Sequence, residues 1–173
     1  MQIRLQDLAS LPGRCLCFDY TTDLSQEEVS FEYPFPEPVR LWGSVTDNSG
    51  VITLSAQVEA RVHTHCARCG RAVEYDKETP VDFVLVRSLA NGEDEQSDEL
   101  FLVESDTVEL DDILIPELIL DMEMTVLCRE DCKGLCPKCG KNLNEGPCGC
   151  DLRQIDPRLA VLQKLLDQQK ENK

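Results

Sequence analysis

Hydrophobic and polar residues alternate along much of the first half of the chain. The clearest run is Val51 to Val62, where Ile52, Leu54, Ala56, Val58, Ala60 and Val62 face one way and Val51, Thr53, Ser55, Gln57 and Glu59 the other. A period of two predicts a strand with one face in a core and one in water. Val39 to Val45 is a second β-branched run, and Asp47-Asn48-Ser49-Gly50 joins the two as a hairpin turn, with glycine where a positive φ is wanted. A third run, Ala72 to Val86, returns from the far side. Nearer the start, Ile3 and Leu5 alternate with Gln2, Arg4 and Gln6, which predicts a strand over Met1 to Leu8. Leu11-Pro12-Gly13 then turns the chain into a strand from Arg14 to Tyr20. Cys15 and Cys17 share one face of that strand and read as small, buried or half-buried thiols.

Elsewhere the period changes or disappears. Asp23 to Glu37 is acidic and proline-rich and reads as a connection, with Phe31, Tyr33 and Phe35 as alternating anchors. Trp42 is the only tryptophan and reads as core or sheet filling rather than a base-stacking platform. Ser88 to Glu99 is a charged stretch without periodicity, expected to be an exposed loop. Leu100 to Val103 is short and strand-like. From about Leu110 to Met124 the apolar spacing is helical, with acids in the first turn, and Pro116 either opens a second segment or kinks the first. Met122 and Met124 read as core. At the far end, Asp156-Pro157 supplies an N-cap and a proline at N1, and Leu159, Leu162, Leu165 and Leu166 mark an apolar stripe to about Gln169. A helix this short needs something to pack on.

The stretch from Cys128 to Cys150 fits neither period. It holds six of the ten cysteines among Gly, Pro, Asn and charged residues. With so few large side chains, burial cannot offset about 1–2 kcal/mol of backbone entropy per residue, so a cross-link must order it. Cys136-Pro137-Lys138-Cys139-Gly140 is a C-x-x-C-G turn that aims two sulfurs at one ion, and Cys148-Gly149-Cys150 offers a second pair. Four thiolates of this kind suit a tetrahedral Zn²⁺ with sulfur at about 2.3 Å. A disulfide framework is the competing reading, favoured by the even cysteine count. Against it, the N-terminal MQIRLQDLASLPGRCLCF lacks an unbroken apolar segment and no run approaches a membrane span, so a reducing cytoplasm is expected.

A second C-x-x-C-G, Cys66-Ala67-Arg68-Cys69-Gly70, falls between two strand runs, at the tip of a long hairpin. A thioredoxin-type site would place its cysteines at a helix N-terminus, so the strand flanks favour a zinc knuckle. Cys128 and Cys132 remain once Cys136, Cys139, Cys148 and Cys150 share one ion, which suggests a first site of Cys66, Cys69, Cys128 and Cys132. Two structural zinc ions are therefore expected, the first stapling the hairpin tip to the segment entering the cysteine-rich tail. His63 and His65 are competing ligands. The pattern as a whole predicts an α+β fold. An antiparallel β-rich domain with one packed helix spans residues 1–127, a zinc ribbon or knuckle 128–151, and an amphipathic helix 152–173.

Charge limits the partners. The formal net charge is −16, and each four-thiolate zinc centre adds about two negative charges, so broad binding to a phosphate backbone is disfavoured. Cations gather beside the knuckles: Arg61, Arg68 and Arg71 at the first, and Arg129, Lys133, Lys138 and Lys141 at the second. They either form a local surface for RNA phosphates or neutralise the anionic centres.

Cys66-Ala-Arg-Cys69 after a β-rich region, then a helix, CKGLCPKCGKNLN, and DPRLAVL together resemble the YceD family, the large ribosomal RNA subunit accumulation proteins. The resemblance spans about residues 10 to 166. Some members of that family lack the second cysteine cluster and keep the residues matching Cys66, Cys69, Cys128 and Cys132, which supports the division of ligands. The resemblance implies a cytoplasmic bacterial or plastid factor for accumulation of large-subunit (23S) rRNA, whose partner is that RNA or a ribosome-assembly protein. From the residues themselves, closed four-thiolate sites leave no position for water, and no Ser/His/Asp set, phosphate loop, acid–base pair or small-molecule site is recognisable. A binding protein is expected rather than an enzyme. The rival reading is a redox-switched chaperone, in which oxidation ejects zinc and exposes apolar surface.

Overall fold

The alternating runs become a five-stranded sheet in the computed structural model, which describes residues 1–86, 100–103 and 105–150. The charged loop at 88–99 and the terminal helix expected over 152–173 lie outside the described residues. The chain divides into two compact units. The first comprises Met1–Ala67 and Arg71–Cys128; the second comprises Arg68–Gly70 and the residues from Arg129.

In the first unit, β1 (Gln2–Arg4) leads through short 3-10 helices at Leu5–Ser10 and Pro12–Arg14 to β2 (Cys15–Thr22), β3 (Val39–Asn48), β4 (Val51–His65) and β5 (Ala72–Val86). Then come β6 (Leu100–Leu102), β7 (Thr107–Glu109) and the helix α1 (Leu110–Leu120). The large sheet has the order β2-β3-β4-β5-β6, and β1 pairs separately with β7. β2 to β5 pair antiparallel, as expected; β6 joins β5 in parallel.

Alternation places the core on one face of this sheet. Leu54, Ala56, Val58, Ala60 and Val62 of β4 are buried, as are Val39, Leu41 and Val45 of β3 and Val81 and Leu85 of β5. Ile113, Leu114 and Leu118 of α1 are buried in the same cluster. At about 25 cal/mol per Å², burial of side chains of this size is the main stabilising term. The row Phe18–Gly43–Ala56–Val81 crosses four strands and sets two of the smallest residues side by side. There the strands approach so closely that a Cβ on Gly43 would sit 2.3 Å from the Ser55 carbonyl oxygen.

α1 runs through Pro116 without stopping. Pro116 lies on the exposed side, and the acceptor it leaves unserved, the Asp112 carbonyl, belongs to another exposed residue that water can reach. Buried Ile113, Leu114 and Leu118 on either side hold the helix to the core. It ends at Leu120, short of the expected Met124. Asp121 instead turns to β5, accepting from Thr79 Oγ1 at 2.8 Å and pairing with Lys77 Nζ at 2.8 Å. Met122 packs against the core as expected, whereas Met124 is fully exposed.

Other expectations are corrected. The strand predicted over Met1 to Leu8 stops at Arg4, because Leu5 and Leu8 are both buried, and a spacing of three suits a tight helical turn. Of the three aromatic anchors only Phe35 is buried. Phe31 and Tyr33 are exposed because the chain reverses at Val29–Glu32, which breaks the alternation. Cys17 is exposed and Cys15 half-buried, with their sulfurs 3.8 Å apart. Trp42 is half-buried on the sheet, with the Arg40 guanidinium carbon 4.9 Å from its ring centroid.

Candidate metal centre

Both C-x-x-C-G sequences fold into the same tight turn. In the first unit the Cys66 N–H donates to the Arg71 carbonyl at 2.8 Å; in the second the Cys136 N–H donates to the Lys141 carbonyl, also at 2.8 Å. Gly70 and Gly140 hold φ of 68° and 72° at equivalent places, the left-handed conformation a side chain would resist. A five-residue spacing thus closes each knuckle with its two sulfurs on one side.

The second quartet lies wholly in the second unit. The sulfurs of Cys136, Cys139, Cys148 and Cys150 all lie within 4.8 Å of one another. A tetrahedron of sulfurs at about 2.3 Å from zinc has edges of about 3.8 Å, so the set fits such an ion with little adjustment. Backbone N–H groups of Cys139 and Lys138 point at the Cys136 sulfur and lower its pKa to about 6. Cys150 is pushed up to about 12, first by hydrogen bonding with Cys139 and then with Cys148. Four crowded thiols do not all ionise together unless a cation replaces their protons.

The sulfurs of Cys66, Cys69, Cys128 and Cys132 likewise all lie within 4.8 Å of one another. Local bonds account for each half of the set. In the first unit, Ala67, next to Cys66, donates its N–H to the Val126 carbonyl at 2.9 Å. In the second, the Arg68 guanidinium donates to the Cys132 carbonyl at 2.9 Å and to that of Glu130 at 3.4 Å, while the Leu135 N–H reaches the Arg68 carbonyl at 3.1 Å. Both quartets expected from spacing are therefore brought together, each able to hold a metal ion, with an all-thiolate donor set that suits zinc. The ten cysteines form no disulfide.

His63 and His65 belong to neither quartet. His65 Nδ1 lies 2.9 Å from Glu32 Oε1, and His63 Nδ1 lies 3.9 Å from Glu74 Oε1. Several of the seven cations near the cysteine turns in sequence have bonds within their own units. Arg61 pairs with Asp76 at 2.7 Å and with Glu74 at 3.3 Å. Arg68 holds the carbonyls just named, Arg129 reaches Asn144 Oδ1 at 2.6 Å, and Lys141 reaches the Pro147 carbonyl at 3.2 Å. Arg71, Lys133 and Lys138 extend exposed side chains.

Sequence reasoning passed over Asn144. Its Oδ1 accepts from the Lys133 N–H at 2.8 Å, while its Nδ2 donates to Cys132 Sγ at 3.4 Å and to Asn142 Oδ1 at 2.8 Å. A donor to a ligating sulfur orients that ligand and stabilises its charge. The signal was present in Asn142-Leu143-Asn144, which lies inside the cysteine block between Cys139 and Cys148.

A β-sheet unit followed by a cysteine-rich unit, with two four-cysteine groups able to hold metal, defines a class of β-rich proteins with candidate structural metal centres. Within it, the chain belongs to the YceD family: the sequence model described as "Large ribosomal RNA subunit accumulation protein YceD" matches residues 54–166. An uncharacterized protein YlbN of Bacillus subtilis (strain 168) is 26% identical over 174 residues, covering 99% of this chain and 100% of that protein. An uncharacterized protein of Mycobacterium tuberculosis (strain ATCC 25618 / H37Rv) is 32% identical over 116 residues, 66% of this chain and 56% of that protein. The chloroplastic "Large ribosomal RNA subunit accumulation protein YCED homolog 1" of Arabidopsis thaliana is 26% identical, covering 79% of this chain and 51% of that protein. No solved structure gives a significant match. No helix among the described residues is long and apolar enough to cross a membrane.

Proposed function

We propose that this protein is a zinc-stabilised, non-catalytic factor of ribosome biogenesis, acting in the cytoplasm to support accumulation of large-subunit rRNA. The observation that carries the reading is the pair of four-cysteine groups in a chain that belongs to the YceD family. Each group would be closed once it holds an ion, with four thiolates and no position for a reacting water, which is the form of a structural rather than a catalytic zinc site. The zinc orders two knuckles, and the protein acts by binding.

What it binds follows from charge. With a formal net charge of −16, and with Arg61, Arg68, Arg129 and Lys141 bonded inside the fold, contact with RNA phosphates would fall to the exposed Arg71, Lys133 and Lys138. A ribosome-assembly protein suits the remaining surface better. Deleting the gene in its host is expected to lower the ratio of large- to small-subunit rRNA, measured on total RNA. A wild-type copy restores the ratio, and one carrying Cys66→Ser and Cys139→Ser does not. An unchanged ratio on deletion would remove the reading.

A further inference from the structure

Phe31 is 94% exposed and Tyr33 59% exposed, two residues apart on the turn that leads into Phe35. Ser30 and Phe31 both hold positive φ, 54° and 67°, a conformation that glycine or asparagine usually fills and a bulky ring disfavours. Backbone strain and a large apolar ring in water coincide at one residue.

The turn is nevertheless fastened. Val29 and Glu32 exchange backbone hydrogen bonds at 2.9 and 3.1 Å. The Glu32 carboxylate accepts from Thr64 Oγ1 at 2.8 Å and meets His65 Nδ1 at 2.9 Å. The Pro34 carbonyl accepts from the His63 N–H at 2.8 Å. Beside the two rings runs an open groove of about 430 Å³, walled by His63, Val73 and Glu74. Rigidly presented, exposed aromatics beside a groove have the form of an interface anchor, with little ordering cost left for binding.

Local charge selects the partner. Between Arg14 and Arg40 the chain has six acids, Asp19, Asp23, Glu27, Glu28, Glu32 and Glu37, and no lysine or arginine; Asp19 is paired with Arg40 at 2.8 Å, which leaves five to set the local field. On β4, Arg61 is already held by Asp76 and Glu74. A nucleic acid could stack its bases on the rings, but its phosphates would meet this field unfavourably. A cationic polypeptide meets it favourably, because Lys and Arg can lie over aromatic faces while pairing with carboxylates.

We propose that the Phe31–Tyr33 turn docks a lysine- and arginine-rich segment of a protein partner. The surface lies in the first unit and uses none of the cysteines, so its test is separate from that of the rRNA reading. The full-length protein is titrated by fluorescence anisotropy against a labelled peptide of repeating Arg-Lys-Ala and, in parallel, against single-stranded polyuridine. Phe31→Ala with Tyr33→Ala is expected to weaken peptide binding by about tenfold, whereas Glu78→Gln with Asp82→Gln, on the opposite face of the sheet from the core, leaves it within a factor of about two. Phe31→Gly provides a readout a structural role would not give. By relieving the positive φ it should raise the melting temperature while weakening the peptide. Equal peptide binding by the wild type and the double alanine variant would overturn the proposal. So would polyuridine binding that depends on the two rings, which would make the turn an RNA-stacking surface instead.

Discussion

Removing metal with a high-affinity chelator under reducing conditions is expected to unfold the cysteine-rich unit while the sheet of the first unit stays folded. Among the described residues from Arg129 onward, the buried hydrophobic side chains are those of Cys132 and Cys136, and Leu135 is 45% exposed. The first unit, by contrast, buries a continuous cluster from Ile3 to Leu118. A segment with so little apolar burial has no other source for its ordering free energy, and structural zinc supplies about 10–16 kcal/mol in small zinc domains. Hydrogen exchange reads this directly. The amides of Cys136, Gly140 and Leu143, bonded to the carbonyls of Lys141, Cys136 and Gly134, should lose protection on chelation, while the centre of β4 keeps it. Retained protection at those three amides in metal-free protein would show that something other than metal orders the unit.

Gly43→Ala is the second large effect, and it strikes the sheet instead. The added methyl would sit 2.3 Å from the Ser55 carbonyl oxygen and 2.6 Å from Ala56 Cα, both backbone atoms of the paired strand β4. No rotamer change can relieve that contact, so β3 and β4 must separate between two fully buried pairs, Leu41–Val58 and Val45–Leu54. Overpacking of this kind costs about 3 kcal/mol, which for a domain of this size lowers the melting temperature by roughly 10 °C. Urea unfolding should show a lower midpoint with an unchanged slope. A variant that melts with the wild type would mean that the strands do not approach so closely.

The sheet was legible because a period of two is a local property, and β4 shows it over its whole length. The knuckles were legible for a similar reason, since C-x-x-C-G carries both the ligand spacing and the left-handed residue the turn needs. The division of eight cysteines into two groups of four followed by pairing the cysteines left over. Elements whose form depends on distant partners were harder to read. Leu5 and Leu8 both enter the core only if the chain coils after Arg4, and the end of α1 is set by Thr79 and Lys77 drawing Asp121 toward β5. The parallel pairing of β6 with β5 has no signature in three residues. Phe31 and Tyr33 misled because aromatic alternation usually marks a buried face, and a turn with two positive φ angles at Ser-Phe has no sequence cue of the Asn-Gly kind. Asn144 stood within the cysteine block, but its bond to Cys132 depends on the folded path of the loop.

Native mass spectrometry of the protein purified without added metal tests the central claim most directly. Two zinc ions per chain are expected for the wild type and one for each of Cys66→Ser and Cys139→Ser, with all ten cysteines alkylatable once the metal is removed. A folded wild-type protein that carries no zinc, or whose knuckle cysteines are joined as disulfides, would contradict it.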